Sequence, residues 1–426
     1  MNAVATIRSS PPLPQRFVAR QPILNVRRDV VGYELLFRAG WENCFSGDSD
    51  AATREILDNC LHTGMDSLAG GLLAFVNCTR DALVGRLVTL LPPATTVLEI
   101  LETIEPDAEV VEACRELHAM GYRLALDDFV MLPGMQPLIE IASYIKVDFR
   151  ASDAAERRQI LLGVRGSGAA LLAEKVEDEA EFQVALAEGY QYFQGYFFCR
   201  PAIVANHSIP ANRMNYLRLM VELTRRPLNL REVVEIVRQE QSLLYRLLCL
   251  ANSALWGRSN TIASIREAFM LVGEDRFRIL VAVAASCVLG GENDPALISL
   301  SLQRARFCEL LAPRIGENPT EQFMLGLLSL VDSMLNVPMA NIVNTLPLRA
   351  EARAALLGAD NPAGAPLRLI RCLELGAWPN CTALSKPLRV SEEDLAQIYM
   401  EAVQWAGESL TSSRQPSLPA PETSPR

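Results

Sequence analysis

The sequence of 426 residues predicts an α/β plus all-α protein, with a TIM-like (β/α) barrel followed by an all-helical domain. Up to about residue 205, short apolar runs of strand length alternate with helical patterns, and beyond it only long helical patterns occur. The charge changes at the same point, since residues 1–205 carry 18 basic and 28 acidic side chains and the rest carries 22 of each. Strands that alternate with helices pair in parallel through right-handed crossovers, and eight of them in about 190 residues fit a small barrel.

The barrel is expected to begin with a hairpin. Apolar runs at residues 17–24 and 30–37 flank a polar turn region, so the first strand should pair antiparallel with the second. Later strands are expected where apolar runs recur, at residues 72–78, 96–101, 123–127, 144–147, 169–173 and 192–198. Helical periodicity between these runs predicts helices at residues 50–67, 108–120 and 178–188.

The second half shows clear signals for the ends of helices. Asp294 can cap a helix that has Pro295 at its first position, and Gly316 is placed to end that pattern. Ser391 and Asp394 resemble a capping box at the start of a last helix. We expect eight to ten helices in a domain at residues 206–408, after a barrel domain at residues 16–205. Tails at residues 1–15 and 409–426, rich in Pro, Ser and Thr, are expected to be disordered.

Composition excludes several classes of protein. Half of the residues are hydrophobic and 21% are charged, which is typical of a globular chain and not of a disordered one. The longest apolar run, at residues 279–289, is too short to cross a bilayer, and no apolar leader begins the chain. The ten cysteines form no C-x-x-C pair, which favours a reducing, cytoplasmic setting without membrane contact. The net charge of −10 argues against direct nucleic-acid binding through a broad basic patch.

Polar residues recur where the predicted strands end. A barrel gathers the C-terminal ends of its parallel strands on one rim, so these side chains should face one another. That many acids cannot all ionise together without cations, and oxygen ligands suit Mg²⁺ or Mn²⁺, two of which commonly serve phosphodiester hydrolysis. The residues are Glu34, Asn77, Glu99, Asp127, Asp128, Lys146, Glu174 and Gln194.

Each of these residues also has a plainer interpretation. A single glutamate at a strand end is most often a helix cap or a surface residue. Lys146 is one of only three lysines and interrupts an apolar strand, so an unpaired charge there would be costly and a carboxylate partner is expected. A purely structural ion pair remains the alternative for this lysine.

Several motifs in this half resemble those of EAL domains, the cyclic di-GMP phosphodiesterase family. Glu34-Leu-Leu-Phe-Arg38 is similar to the family signature Glu-Ala-Leu-x-Arg, and the later motifs follow in the family's order. These later motifs contain Asn77, Glu99 with Glu102, Asp127-Asp128-Phe129, Lys146 with Asp148, Glu174 with Glu177, and Gln194-Gly195-Tyr196.

The resemblance implies a role for each matched residue. Metal ligation falls to Glu34, Asn77, Glu99 and Asp127, with Asp128 and Glu174 supporting a second ion and the attacking water. Lys146 would steady that water, Glu174 would be the base and Gln194 would belong to the catalytic group. Arg38 would meet a ligand phosphate, and Glu102 and Glu177 would belong to the ligand-binding group.

Two departures from the family pattern bear on catalysis. The family run Asp-Asp-Phe-Gly-Thr-Gly is here Asp127-Asp-Phe-Val-Met-Leu-Pro-Gly134, in which β-branched Val130 replaces a flexible glycine. The family run Glu-Gly-Val-Glu is here Glu174-Lys-Val-Glu177, which adds a cation beside the site. We therefore expect weak or no catalysis, with residues 130–134 partly disordered or blocking the nucleotide site. An active cyclic di-GMP phosphodiesterase that yields the linear dinucleotide pGpG is the alternative, and a helical scaffold without a nucleotide is a third.

The second half resembles HDOD domains, helical relatives of HD phosphohydrolases. The similar segments are residues 247–257 and 262–273. HD hydrolases place a His-Asp pair after a Gly-Leu-Leu run, whereas here Ser329 and Leu330 follow Gly326-Leu-Leu and no histidine follows His207. The resemblance therefore implies a non-catalytic domain that holds no metal and binds an unidentified protein partner. Trp256 and Trp378 are candidates for an exposed contact face or, equally, for ordinary core residues; the sequence leaves the oligomeric state open.

Overall fold

The computed structural model describes residues 17–38, 68–197, 211–253, 262–289, 295–335 and 337–414. Its first part is a closed barrel of eight strands in sequential order. The strands are β1 (Phe17–Asn25), β2 (Val30–Arg38), β3 (Leu73–Cys78), β4 (Thr96–Ile100), β5 (Arg123–Leu126), β6 (Tyr144–Asp148), β7 (Ala170–Val176) and β8 (Tyr192–Gly195).

The pairing of these strands confirms the predicted TIM-like barrel with an antiparallel first strand. Strand β1 is antiparallel to β2 on one side and to β8 on the other. All other neighbours, from β2 to β8, are parallel. The C-terminal ends of seven strands therefore meet at one rim, and β1 begins there and runs away from it.

An apolar layer fills the barrel beneath that rim. It consists of Ile23, Phe75, Val97, Ala125, Tyr144 and Leu172, with the rings of Phe75 and Tyr192 packed edge-on against Tyr144. Side chains two residues apart on a strand share a face of the sheet. The residues two places further along β3 to β7 therefore line the upper interior, and they are Asn77, Glu99, Asp127, Lys146 and Glu174.

Short helices connect the strands on the outside of the barrel. Aspartates cap three of them, since Asp107, Asp153 and Asp178 accept hydrogen bonds from backbone amides of the first turn. The predicted helix at residues 50–67 lies outside the described residues. The helices are α1 (Arg80–Val84), α2 (Ala108–Ala119), α3 (Gln136–Ile139), α4 (Ala154–Gly163) and α5 (Glu179–Glu188).

The second part is helical, as predicted, but the expected number of eight to ten helices is too low. Thirteen α-helices lie within residues 211–414 where the structure describes the chain. Those of five to seven residues are too short to show a periodic pattern. The helices are α6 (Ala211–Thr224), α7 (Leu230–Gln239), α8 (Gln241–Ala251), α9 (Ile265–Val272), α10 (Glu274–Leu289), α11 (Pro295–Leu311), α12 (Pro319–Leu328), α13 (Val331–Leu335), α14 (Met339–Val343), α15 (Ala350–Leu356), α16 (Ala365–Glu374), α17 (Trp378–Leu388) and α18 (Glu392–Arg414).

The predicted helix ends are found where the structure describes them. A 3₁₀ turn after α11 ends at Gly316, which has a left-handed backbone. The Ser391 hydroxyl accepts a hydrogen bond from the Asp394 amide, and helix α18 continues past residue 408 to Arg414. Asp294 lies outside the described residues. In the part of the chain described here, no helix is both long and apolar enough to cross a membrane.

The barrel and the helical domain share buried apolar surface. Strand β1 contacts α16 and α18, and Ala19 of β1 belongs to the main core of the helical domain. In the other direction, Ala296 and Leu297 of α11 join the core outside the barrel strands. The burial of apolar side chains on both sides couples the positions of the two domains.

Candidate active site

Lys146 is the centre of a buried charge cluster on the barrel rim. Its side chain is fully buried, and its Nζ lies 2.5 Å from Glu99 Oε1 and 2.6 Å from Asp127 Oδ1. The same ammonium lies 3.0 Å from Glu174 Oε1 and 3.4 Å from Glu34 Oε2. Four carboxylates positioned by four different strands therefore share one ammonium, so the cluster would carry three excess negative charges if every group ionised.

Two side-chain amides hold Glu34 in this cluster. Gln194 Nε2 donates to Glu34 Oε2 at 2.7 Å, and Asn77 Nδ2 donates to Glu34 Oε1 at 3.4 Å. Burial raises the pKa of Glu34, but the Lys146 ammonium and the donated hydrogen bonds outweigh burial, and the pKa is lowered. Glu34 is therefore the carboxylate of the cluster that stays ionised most easily.

The other carboxylates are shifted in the opposite direction. Burial raises the pKa of Glu174 to about 8, against the attraction of Lys146 and with the repulsion of Asp127 and Glu34. Burial also raises the pKa of Glu99 well above its ordinary value, and that of Asp127 is raised for the same reason. The cluster thus retains protons at neutral pH because one lysine does not balance four acids.

Several oxygens of the site are buried and accept no hydrogen bond. They include Asn77 Oδ1, Glu99 Oε2 and Glu174 Oε2. A buried acceptor without a donor costs about 1–3 kcal/mol, and a cation would satisfy such atoms. These oxygens fit Mg²⁺ or Mn²⁺ by type. The carboxylates of the cluster are turned toward the ammonium. In this arrangement, no three His, Cys, Asp or Glu side chains of the described residues are placed to hold a metal ion.

A second lysine lies at the outer side of the rim. Lys175 Nζ forms a close ion pair with Asp148 Oδ2 and lies 3.5 Å from Asp128 Oδ1. Burial raises the pKa of Asp148, but the hydrogen bond from Lys175 and two backbone amides reverse the shift and lower it. Lys175 and Asp128 both have positive φ angles, 55° and 39°, in the region that favours glycine. The lysine therefore stands in a strained position where the family pattern has glycine.

The divergent loop at residues 130–134 leads away from the cluster. Val130, Met131 and Leu132 are all exposed, at 58%, 38% and 54%. Met131 packs so closely on Gly163 of α4 that a Cβ there would lie 2.2 Å from its methyl carbon. Val130 keeps a negative φ, so its β-branch is accommodated without strain.

Two predicted residues stand apart from the cluster. Glu102 is exposed in a turn after β4, and Glu177 forms an ion pair with Arg150 at the surface of the rim. The Arg38 side chain lies outside the described residues, as does Trp256. Trp378 is half-buried against the core of the helical domain.

Sequence reasoning missed one residue that contacts the site. Gln21 of β1 stands opposite Glu34 in the β1–β2 register, and its Oε1 accepts a hydrogen bond of 2.8 Å from Gln194 Nε2. A polar residue within an apolar strand was the available signal, as it was for Lys146. The hairpin register would have placed it opposite Glu34.

Family comparisons agree with this arrangement of two domains. The model of the EAL domain matches residues 80–201, and the model of the HDOD domain matches residues 209–352. The uncharacterized protein YuxH of Bacillus subtilis is 37% identical over 400 residues, covering 91% of this chain and 97% of YuxH. The cyclic di-GMP phosphodiesterase CdgJ of Vibrio cholerae is 34% identical over 397 residues, covering 92% of each chain.

Solved structures of EAL proteins are similar to the barrel part. The EAL domain of Mycobacterium smegmatis DcpA is 20% identical, with a TM-score of 0.36 over 43% of this chain and 91% of that one. Bacillus subtilis YkuI, solved with cyclic di-GMP and calcium, is 20% identical, with a TM-score of 0.38 over 61% of this chain and 71% of YkuI. The assignment rests on the two full-length relatives and the two family models. On these grounds the chain belongs to the family of EAL–HDOD bacterial signalling proteins.

Proposed function

We propose that this chain acts in cyclic di-GMP signalling, and that its barrel binds cyclic di-GMP and hydrolyses it weakly. The observation that carries the proposal is the cluster of four carboxylates around Lys146 on the rim. Such an excess of buried acid is costly in a site that stays free of cations. The relative CdgJ is a cyclic di-GMP phosphodiesterase by name, which supports the same substrate class.

Divalent cations of the Mg²⁺ or Mn²⁺ type fit the donor atoms of the rim. Glu34, Asn77, Glu99 and Asp127 would hold one ion, and Asp128 with Glu174 would support a second. When bound, such ions supply charge neutralisation of the phosphodiester and acidify a water. The carboxylates point toward the Lys146 ammonium. Cation binding therefore requires that some of these ion pairs with Lys146 weaken.

Each side chain of the cluster would then have a separate role in hydrolysis. Glu174, whose Oε1 lies 3.0 Å from Lys146 Nζ, would take the proton of the water that attacks phosphorus. The bond from phosphorus to the 3′ oxygen of the sugar breaks, that oxygen gains a proton, and linear pGpG results. Lys146 would orient the water, and Gln194 would keep Glu34 in place through its 2.7 Å hydrogen bond.

Two features argue that this activity is weak. Lys175 places a positive charge against Asp148 and Asp128, where it repels an incoming cation. The loop at residues 130–134 turns apolar side chains to solvent and lies against α4. It therefore directs no hydrogen-bonding side chain of its own toward the rim.

A fully active phosphodiesterase is the second candidate. It is favoured by the cluster around Lys146, which brings together four of the predicted acids, Glu34, Glu99, Asp127 and Glu174. The test is incubation of the purified chain with cyclic di-GMP and Mg²⁺ or Mn²⁺, followed by chromatography of the linear product. Turnover comparable to ordinary EAL enzymes would favour this candidate. A calorimetric titration with cyclic di-GMP and Ca²⁺ measures binding alone, and an absence of binding would contradict both candidates.

The helical domain is proposed to be the non-catalytic output module, which holds no metal and binds a protein partner. Where the HD pattern has its His-Asp pair, Ser329 accepts a hydrogen bond from Arg304 at 3.3 Å within a buried ion-pair network. Comparison of the full chain with residues 16–205 and 206–408 in a pull-down tests the assignment. Retention of every partner by residues 16–205 alone would contradict it.

A further inference from the structure

Resting on the proposed function, we infer that Gln21 is a positioning residue through which the helical domain controls the carboxylates of the barrel. Gln21 lies on β1, the strand that contacts both α16 and α18. In the strand register it stands opposite Glu34 of β2, while Ile23 stands opposite Gln194 of β8. Strand β1 therefore lies between two strands of the site and also packs against the helical domain.

A continuous path of hydrogen bonds runs through this glutamine. Gln21 Nε2 donates to the backbone carbonyl of Glu374 at 3.1 Å, and Gln21 Oε1 accepts from Gln194 Nε2 at 2.8 Å. The second hydrogen of Gln194 Nε2 is donated to Glu34 Oε2 at 2.7 Å. Three bonds thus connect the main chain of the helical domain to a carboxylate of the charge cluster.

The two ends of this path fix the direction of both amides. A backbone carbonyl only accepts, so Gln21 must turn its nitrogen toward Glu374 and its oxygen toward Gln194. The Glu34 carboxylate oxygen accepts as well, so Gln194 must turn its nitrogen toward Glu34 Oε2, which lies 2.7 Å away. If either amide exchanged the positions of its oxygen and nitrogen, two acceptors would face each other. The orientations of the two amides thus depend on each other, and loss of one hydrogen bond weakens the next.

The helical end of the path is tightly held. Glu374 is the last residue of α16, so its carbonyl has no partner within the helix and depends on an outside donor. Its carboxylate receives Arg304 through bonds of 2.9 Å from Nε and 2.6 Å from Nη2, and both side chains are buried. A displacement of α16 against α11, which carries Arg304, would move this carbonyl directly.

Such a displacement would change the charge cluster. Once the carbonyl moves out of reach of Gln21, Gln194 loses its second anchor and holds Glu34 less firmly. Glu34 is then free to close its 3.4 Å separation from the Lys146 ammonium, which competes with cation binding. Coupling is reciprocal, so a ligand that fixes Glu34 must also stabilise the end of α16.

A second contact between the same strand and the helical domain offers a matched control. The Tyr399 hydroxyl of α18 accepts a hydrogen bond of 3.4 Å from the Arg20 backbone amide, one residue before Gln21. The Arg20 side chain turns away to the Leu68 carbonyl, to which its Nη1 donates a hydrogen bond of 3.0 Å. Tyr399→Phe therefore weakens the domain interface and leaves the path through Gln21 intact.

Hydrogen exchange on the full chain tests the inference. Amide exchange in residues 365–377 is compared without ligand and with cyclic di-GMP plus Ca²⁺, and calorimetry on the same samples shows whether the ligand binds. We expect binding to slow exchange there several-fold in the wild type and in Tyr399→Phe, and to leave it unchanged in Gln21→Met. A wild-type response that persists in Gln21→Met, or bound ligand with no response in the wild type, overturns the inference.

A ligand-free arm separates this inference from the proposed function. Glu34→Ala removes the acceptor at the site end of the path, and it should speed exchange in residues 365–377 several-fold without any ligand. If calorimetry detects no binding, the proposed function fails, and this arm still decides the inference. No effect of Glu34→Ala on these amides overturns it. Should Gln21→Met fail to fold, Gln194→Met breaks the next bond and should abolish the same response.

Discussion

The barrel and the helical domain each bury an ion-pair centre, and the two centres are built differently. In the helical domain one guanidinium, Arg304, meets one carboxylate, Glu374, with two donors, so charge and hydrogen bonds are balanced. In the barrel one ammonium, Lys146, meets four carboxylates, and oxygens such as Glu174 Oε2 remain without a donor. The charges of the Arg304–Glu374 centre compensate each other. The Lys146 centre has excess negative charge, which bound cations would neutralise. The imbalance is what distinguishes a candidate active site from a structural pair.

The largest effect is expected from removing the acids of the unbalanced centre. Glu174→Gln should lower turnover of cyclic di-GMP by roughly 100- to 10,000-fold, because it removes the base while keeping the shape of the side chain. Glu34→Ala should abolish turnover by removing a metal ligand. Product formation measured by chromatography checks both. Glu112→Gln, exposed on helix α2 outside the barrel, is the control, and an equal loss in that variant would contradict the assignment.

Breaking the balanced centre should affect stability instead of chemistry. Arg304→Met leaves the Glu374 carboxylate buried without a partner, which should lower the free energy of unfolding by about 3–5 kcal/mol. The double variant Arg304→Met with Glu374→Leu removes both charges and should recover most of that loss. Denaturant unfolding of the three proteins measures these differences. A double variant as unstable as the single one would show that the pair is not simply balanced.

The imbalance should also appear as a dependence of stability on pH. Without added metal, Glu174 keeps its proton up to about pH 8 in the folded state, whereas its ordinary pKa is 4.5. Between these values the folded state holds more protons than the unfolded state, so the melting temperature should fall as pH rises and level off above about pH 8. Glu99 and Asp127 act in the same direction, whereas the lowered pKa of Glu34 acts in the opposite direction and only below its ordinary value of 4.5. Glu174→Gln should show a shallower fall, and an unchanged slope would contradict the assignment of its pKa.

The smallest effect is expected at Lys175. Lys175→Gly removes a positive charge beside Asp148 and Asp128 and relieves a left-handed backbone, so Mn²⁺ should bind on the order of tenfold more tightly. Calorimetry should also detect a second equivalent of bound metal. Arg150→Gln removes a charge of the same sign from the same rim and serves as the control. Equal affinity for Mn²⁺ in the wild type and in Lys175→Gly would show that this lysine does not limit metal binding.

The sequence predicted the barrel well because its signals are local. Apolar runs of strand length placed every strand within a few residues, and the rim residues followed from the polar positions in and after those runs. The short helices α13, α14 and α15 were not foreseen, because five to seven residues carry too little periodicity. The roles of the site residues and the domain boundaries stay predictions.

The contacts between the domains were beyond sequence reasoning for a different reason. Gln21 and Glu374 are 353 positions apart, and nothing local relates them. The effect of Lys175 on the site could be predicted only in part. Its positive charge is visible in the sequence, but its contact with Asp148 depends on the fold. Long-range pairs of this kind arise from the packing of β1 against α16 and α18.

Lysine is scarce in this chain, so amine-reactive reagents can follow its lysine side chains individually. Of its three lysines, Lys146 is fully buried, Lys175 is half-exposed beside the charge cluster, and Lys386 is exposed on α17. Reagents that modify primary amines therefore meet few side chains, and one of them reports on the rim. Acylation of Lys175 would remove its charge and free Asp148 and Asp128. Protection of this one amine would therefore reveal occupancy of the rim, with Lys386 as an internal standard in the same molecule.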